Sequence, residues 1–271
     1  MKKERRERNF RILEFRENQY DIIGDVHGCY EELIALVEKL GYKNENGIYK
    51  HPQKRRLISV GDVADKGPQN LACLEFWINQ VLYHDDFWIH GNHCNKLYRY
   101  FLGNRVRISH GLEKTVAELE KLPKEERQAL RSRYMQCYES QCYYLLLDKK
   151  RLAVVHGGLR AESMGSFSSK IKAVCLYGET TGKTDETGRP QRFDWATTYT
   201  GKTFVVYGHT VSASPTIVNN TVDRLEANPI QNIMEMVCCQ NEWIWYIQSH
   251  FCIGYKEIMY EKEKPRRFDN I

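Results

Sequence analysis

Long apolar runs are missing from this 271-residue chain: none approaches the roughly 18 to 20 residues that a membrane-spanning helix needs, so an integral membrane protein is not expected. Linkers are missing as well. No Pro/Gly/Ser-rich or low-complexity tract divides the sequence, which predicts one domain long enough to bury a real core. There is no Cys-x-x-Cys spacing, and the nine cysteines make an odd number. Reduced thiols are therefore expected instead of a disulfide framework or a structural zinc site, with the cytoplasm as the compartment. The opening segment, MKKERRERNFRILEFRENQ, lacks the apolar stretch and small-residue cleavage site of a secretion signal. Its seven Lys/Arg against four Glu read as a solvated helical face. The net charge of +5 favours anionic ligands in general but is too small and dispersed to argue for nucleic acid.

What is present is an ordinary globular composition, 42% apolar and 28% charged, arranged in a repeating pattern. A short apolar run (YDIIG) precedes a helical stretch, CYEELIALVEKLGY, that ends at Gly41. The same order returns as RLISV, GDVADKGPQ and NLACLEFWINQVLY, and again as DFWIH, GNHCN and KLYRYFL. Strand, loop and helix in this order predict a layered α/β fold, whose ligand loops lie at the carboxyl ends of the strands. Residues 111–140, polar and interrupted by Pro123, predict a small helical insertion. YYLLLD and RLAVVHGGL predict a hairpin, TFVVYGHT another buried strand, and LYGETTGKTDETGRPQRFDW a long surface loop of the kind that carries specificity residues.

Five of the loops share a chemistry. GDVHG (Gly24–Gly28), GDVADKGP (Gly61–Pro68), GNH (Gly91–His93), VHGG (Val155–Gly158) and GHT (Gly208–Thr210) each set Asp, Asn or His just past an apolar run, framed by glycine. Asp25 and His27 stand two apart, a spacing that points both side chains one way if the backbone is extended. Imidazole and carboxylate together suit iron, manganese, zinc or nickel better than calcium. A carboxylate shared by two such ions about 3.5 to 4 Å apart would serve in-line displacement at phosphorus. His51, His84, His90, His110 and His250 lie outside these loops and are read as structural.

The order GDxHG, GDxxDxGP, GNH, HGG, GHT resembles the PPP-type metallophosphoesterase superfamily, from Asp21 to about Thr210. The segments YDIIGDVHGCYEELIALVEKLGY, GNHCNKLYRY, HGLEKT and VVYGHT are similar to bacterial PrpE-type bis(5'-nucleosyl)-tetraphosphatases. The phosphatase module of bacterial polynucleotide kinase-phosphatases shares DIIGDVHGCY and the R-x-D-W stretch. The resemblance implies a sandwich of two mixed β-sheets flanked by helices. It implies two divalent transition-metal ions, Ni2+ or Mn2+ foremost with Fe or Zn as alternatives, held by Asp25, His27 and Asp62 on one side and Asp62, Asn92, His156 and His209 on the other. A metal-bridging hydroxide would attack phosphorus, with His93, oriented by Asp65, assisting the leaving oxygen. Lys66 and Arg192 would bind phosphate, Lys66 replacing an arginine common in the superfamily and so gripping less directionally. Cys94, where most of the superfamily has Glu, is read as a packing residue.

The expected activity is asymmetric hydrolysis of dinucleoside polyphosphates, diadenosine tetraphosphate giving ATP and AMP. The expected partner is thus a nucleotide, with no membrane and no obligatory nucleic acid. A phosphomonoesterase acting on phosphoprotein or on polynucleotide 3'-phosphates is the rival reading, and a non-catalytic metal- or anion-binding protein a third. The expected organisation is a basic extension over 1–19, a hydrolase domain over 20–222, and a divergent segment over 223–271 packed on that domain. Within this last segment EWIWYIQ and CIGYKEIMY are candidate strands.

Overall fold

The computed structural model describes residues 10–12, 20–184, 186, 190–210, 216–223, 232–239 and 242–249. The first strands in the chain are β1 (Phe10–Ile12), β2 (Tyr20–Ile23), the small hairpin β3 (Lys43–Glu45) and β4 (Ile48–Lys50), β5 (Arg56–Ser59) and β6 (Phe87–Trp88). The long helices of this half are α1 (Tyr30–Lys39), α2 (Asn70–His84), α3 (Asn92–Phe101), α4 (Leu112–Lys121) and α5 (Lys124–Ser140). There follow β7 (Tyr144–Leu147), β8 (Leu152–Val155), α6 (Ser169–Tyr177), β9 (Glu179–Thr184), β10 (Pro190–Phe193) and β11 (Phe204–Val206). Last come β12 (Thr216–Val218), β13 (Thr221–Asp223), β14 (Asn232–Cys239) and β15 (Glu242–Ser249).

Two mixed sheets form the centre. One runs β15-β14-β2-β5-β6, with β2, β5 and β6 parallel; the other runs β1-β7-β8-β11-β13-β12, with β8 and β11 parallel. Alternation along each strand divides their side chains between two cores. Tyr20, Ile22, Ile58, Leu145, Leu147, Leu152, Val154 and Val206 fill the space between the sheets. The intervening Ile23 and Leu57 turn instead toward α1–α5, while Tyr144, Leu146, Ala153, Val155 and Val205 turn toward α6. Strands buried on both faces show no polar alternation, which is why they read in the sequence as unbroken apolar runs. The helices on either flank cover a two-sheet sandwich, as the resemblance implies.

The helices start and stop on local signals. α1 carries Glu31 and Glu32 in its first turn and Lys39 in its last, charges that complement the helix dipole, and buries Leu33, Leu36 and Val37 at helical spacing. Pro123 has no N–H to continue a helix and separates α4 from α5. These two helices form the insertion expected over 111–140.

Several expectations are corrected. The GETTGK and PQRF stretches, read as a loop, form an exposed antiparallel hairpin, β9 with β10, whose register shifts between Pro190 and Arg192. Proline supplies no ladder N–H, and the β-branched threonines favour extended backbone. Phe10–Ile12, read as part of a helical face, is a strand parallel to β7, with Phe10 stacked on Tyr144 at 5.1 Å. The EWIWYIQ strand pairs with Asn232–Cys239, a stretch not read as a strand, while CIGYKEIMY and His250 lie outside the described residues. β14 in turn pairs antiparallel with β2, so the divergent segment extends the first sheet. Among the described residues no helix is long and apolar enough to cross a membrane.

Candidate metal centre and the basin beside it

All five loops meet at one edge of the sandwich. Asp25 and His27 follow β2, Asp62 and Asp65 follow β5, and Asn92 and His93 open α3 after β6; His156 and His209 follow β8 and β11 in the facing sheet. Backbone bonds tie loop to loop: His27 N–H to Asp62 O (2.9 Å), Gly28 N–H to Val63 O (2.9 Å), and Gly208 N–H to His156 O (2.9 Å). The framing glycines are explained by how closely these loops approach. A Cβ on Gly91 would lie 2.0 Å from Asp62 Oδ1, and one on Gly208 would lie 2.2 Å from Asp25 Oδ1.

Four non-glycine residues here, His27, Asp62, Asp65 and His209, have φ between 44° and 86°. Such left-handed backbone costs on the order of 1 kcal/mol each and persists where the surroundings impose it. It also corrects the reasoning about Asp25 and His27. Convergence comes from a turn at His27, φ 49°, and not from side chains alternating along extended backbone.

The histidine tautomers are set from behind. His27 Nδ1 donates to Ala64 O at 2.9 Å and His156 Nδ1 donates to Val60 O at 3.1 Å, because a carbonyl can only accept. Each therefore turns the lone pair of Nε2 inward, the arrangement that ligating histidines adopt. Around His156 Nε2 stand Asn92 Oδ1 at 2.9 Å, His209 Nδ1 at 3.1 Å and Asp62 Oδ2 at 3.3 Å. Asp62, His156 and His209 offer ligand atoms within 4.8 Å of one another, and so do His27, Asp62 and His93. Asp62 belongs to both groups. Asp25 lies just outside the two triads, its Oδ2 4.0 Å from His27 Nε2 and accepting the His209 backbone N–H at 3.2 Å. Burial alone would raise the Asp62 carboxyl, but the imidazoles of His156, His93 and His27 outweigh it and hold the group well below the usual range. A buried, electron-rich cage of carboxylate, amide oxygen and imidazole nitrogen fits divalent transition metals.

His93 and Asp65 form a pair at one side of this cage. His93 Nδ1 lies 2.5 Å from Asp65 Oδ2, and Asp65 Oδ1 accepts from Thr115 Oγ1 at 2.6 Å. Burial alone would lower the His93 imidazole, but the charges of Asp62 and Asp65 overcome that and raise it. Thr115 comes from α4, so the helical insertion holds the pair in place. Sequence reasoning missed Thr115; only its place in HGLEKT marked it. Cys94 sits beneath Asp62, where its Sγ accepts from the Asp62 N–H at 3.2 Å and from Trp88 Nε1 at 3.3 Å. Burial and the Asp62 charge push its thiol far up, so it is a packing residue and a poor nucleophile.

Of the histidines read as structural, His51 bonds Leu40 O, His84 bonds Asp86, and His90 stacks on Tyr138 at 3.8 Å. His110 stands elsewhere. It is exposed and lines a basin of about 1760 Å³ that opens from Asn92, His93 and His209. Lys66 and Arg192 line the same basin, and Arg192 reaches it from β10, donating to His209 O at 3.0 Å. Tyr177, 44% exposed at the end of α6, also lines the basin and was not singled out from the sequence.

Comparison with known proteins follows this geometry. The profile of the family described as calcineurin-like phosphoesterase matches residues 20–213. The bis(5'-nucleosyl)-tetraphosphatase PrpE [asymmetrical] of Geobacillus sp. (strain WCH70) is 46% identical over 203 residues, 75% of this chain and 83% of that protein. Its namesake from Bacillus subtilis (strain 168) is 45% identical over 204 residues, 75% of this chain and 84% of that one. A protein serine/threonine phosphatase of Saccharomyces cerevisiae superposes with a TM-score of 0.56 at 14% identity, over 92% of this chain and 86% of that one, a likeness of fold alone.

Proposed function

The chain belongs to the calcineurin-like phosphoesterase family, and from that membership we propose that it hydrolyses dinucleoside tetraphosphates asymmetrically, diadenosine tetraphosphate yielding ATP and AMP. Relatives named for this reaction at 45% and 46% identity support the reading. The observation that carries it is the cage around His156 Nε2. With the Nδ1 proton committed to Val60, four ligand atoms from three loops and a helix start face one centre, an arrangement that a cation stabilises.

Asp25, His27 and Asp62 would hold one divalent ion and Asp62, Asn92, His156 and His209 a second; the mixed nitrogen and oxygen donors suit iron, manganese, zinc or nickel, and of these the resemblance favours Mn2+ or Ni2+. When bound, such a pair neutralises phosphoryl charge and acidifies a water molecule. The protein's own groups do the rest. Asp65 fixes His93 through Nδ1 and leaves Nε2 to hold a proton for the departing oxygen. Lys66 and Arg192, on the basin wall, offer positive charge to the phosphoryl oxygens. Residues 20–222 are assigned to the hydrolase unit. Six described cysteines are free and buried, in keeping with a reducing compartment, which we take to be the cytoplasm.

Product analysis tests this. Protein loaded with Mn2+ or Ni2+ is expected to convert diadenosine tetraphosphate to equal amounts of ATP and AMP, resolved by ion-exchange chromatography. Chelation and Asp62→Asn should each abolish the conversion. Two molecules of ADP as product, or turnover confined to a phosphoserine peptide or a 3'-phosphorylated oligonucleotide, would refute it.

A further inference from the structure

The basin's charge is lopsided. Eight Lys and Arg side chains line it against two Glu, an excess of six, while the whole chain carries a net +5. The lining alone thus carries more positive charge than the chain as a whole. Both acids, Glu162 and Glu179, are already paired with Arg160. The cations left over lie mainly along one wall, built by α3 and the segment that follows it.

That wall begins at the cage. Asn92, Lys96 and Arg99 share one face of α3 at i, i+4 and i+7, and at about 1.5 Å of rise per residue the row extends roughly 10 Å from the metal centre. Lys96 Nζ donates to Ser109 O at 2.6 Å and so draws the following segment against the helix. In that segment Val106 packs on the core, while Arg105 and Arg107 on either side of it are exposed and line the basin. Arg99, Arg105 and Arg107 make no ion pair among the described residues. A row of cations that starts at a phosphoryl-transfer centre and runs outward suits a linear chain of phosphates. It offers nothing to a lone phosphate already seated at the metals.

We infer that Lys96, Arg99, Arg105 and Arg107 form a track for the polyphosphate chain of the substrate, holding the phosphates beyond the one attacked and selecting long polyphosphates over monoesters. The assignment rests on the proposed hydrolase function but is tested separately from it. In the variant Arg99→Gln/Arg105→Gln/Arg107→Gln, KM for diadenosine tetraphosphate is expected to rise at least about tenfold with kcat little changed, since charge-assisted contacts to phosphate are lost. The kcat/KM for p-nitrophenyl phosphate should stay within about twofold, because such a substrate does not reach the track. Inorganic tripolyphosphate, measured by calorimetry and as an inhibitor of p-nitrophenyl phosphate hydrolysis, should weaken by at least about tenfold while orthophosphate does not. Lys121→Gln/Lys124→Gln/Arg131→Gln removes the same charge from exposed positions outside the basin and should leave every value unchanged. The assignment is overturned if both triple variants behave alike, or if KM and tripolyphosphate binding are unmoved in the first. Failure of the wild type to cleave diadenosine tetraphosphate, with tripolyphosphate binding still track-dependent, would instead overturn the substrate reading and leave the track standing.

Discussion

Replacing His93 with Asn is expected to separate two kinds of leaving group. A serine alkoxide cannot depart without a proton, whereas ATP or AMP leaves as a stable phosphate anion and needs little protonation. The surroundings of His93 favour the proposed proton role: its side chain is 11% exposed, its Nδ1 is held 2.5 Å from Asp65, and the neighbouring carboxylates raise its affinity for a proton. Positioned general acids contribute about 10²- to 10⁴-fold, or roughly 3 to 5 kcal/mol at the transition state. That is the loss expected in kcat/KM for a phosphoserine peptide. For diadenosine tetraphosphate only a hydrogen bond to an already anionic oxygen is lost, about 1.5 kcal/mol or roughly tenfold. The substitution leaves the backbone bond from residue 93 N–H to Asp62 Oδ1 (2.9 Å) available, so the cage should keep its shape. The assay compares kcat/KM for both substrates at pH 7, with bound metal measured by atomic emission. Equal losses on the two substrates would refute the proton role, and so would loss of one metal equivalent, since His93 would then be a ligand.

Gly91→Ala places a methyl group 2.0 Å from Asp62 Oδ1, so hydrolysis and metal content should both collapse while the protein stays folded at a cost of about 1 to 3 kcal/mol; circular dichroism and metal analysis check this. Thr115→Val deletes the hydroxyl that donates to buried Asp65, a charged hydrogen bond worth about 1.5 to 3 kcal/mol, and should lower peptide dephosphorylation roughly 10- to 100-fold, with Thr115→Ser restoring it. His90, fully packed beside Tyr138, is pushed down by burial to about 3 from 6.5. Its folded pKa is depressed, so the unfolded chain takes up the extra proton between about pH 6.5 and 3, and stability falls as pH falls through that window. Acidification from pH 7 to 5 should cost about 2 kcal/mol at this site. Urea titrations of His90→Gln should show a pH slope shallower by up to about 1.4 kcal/mol per unit.

How much of this was legible beforehand depends on which distances matter. The strands, the helices and the five ligand loops were readable because each is written in neighbouring residues: apolar runs buried on two faces, helical spacing in α1 and α2, and Asp, Asn or His framed by glycine. The sandwich of two mixed sheets came from the resemblance, and the three-fold strand–loop–helix repeat agreed with it. The hairpin carrying Arg192 was misread because threonine- and glycine-rich stretches are equally at home in loops and in exposed strands. The role of Phe10–Ile12 was hidden by its charged surroundings, since an edge strand is defined by its partner and not by its own composition.

Reading the residues in order was enough to pick out the candidate ligands and the candidate acid, because ligand type and loop position are local properties. Tertiary packing settled how they meet. It placed His156 and His209, from one sheet, against Asp62 and Asn92, from the other. It also brought Thr115 from the helical insertion to Asp65, 50 residues earlier, and set Lys96, Arg99, Arg105 and Arg107 together in the lining of one basin. The physical reason is that a cage of lone pairs or a row of like charges is stable only where several chain segments are held together by the burial of other residues. The interface between two sheets supplies that, and no single stretch of sequence contains it.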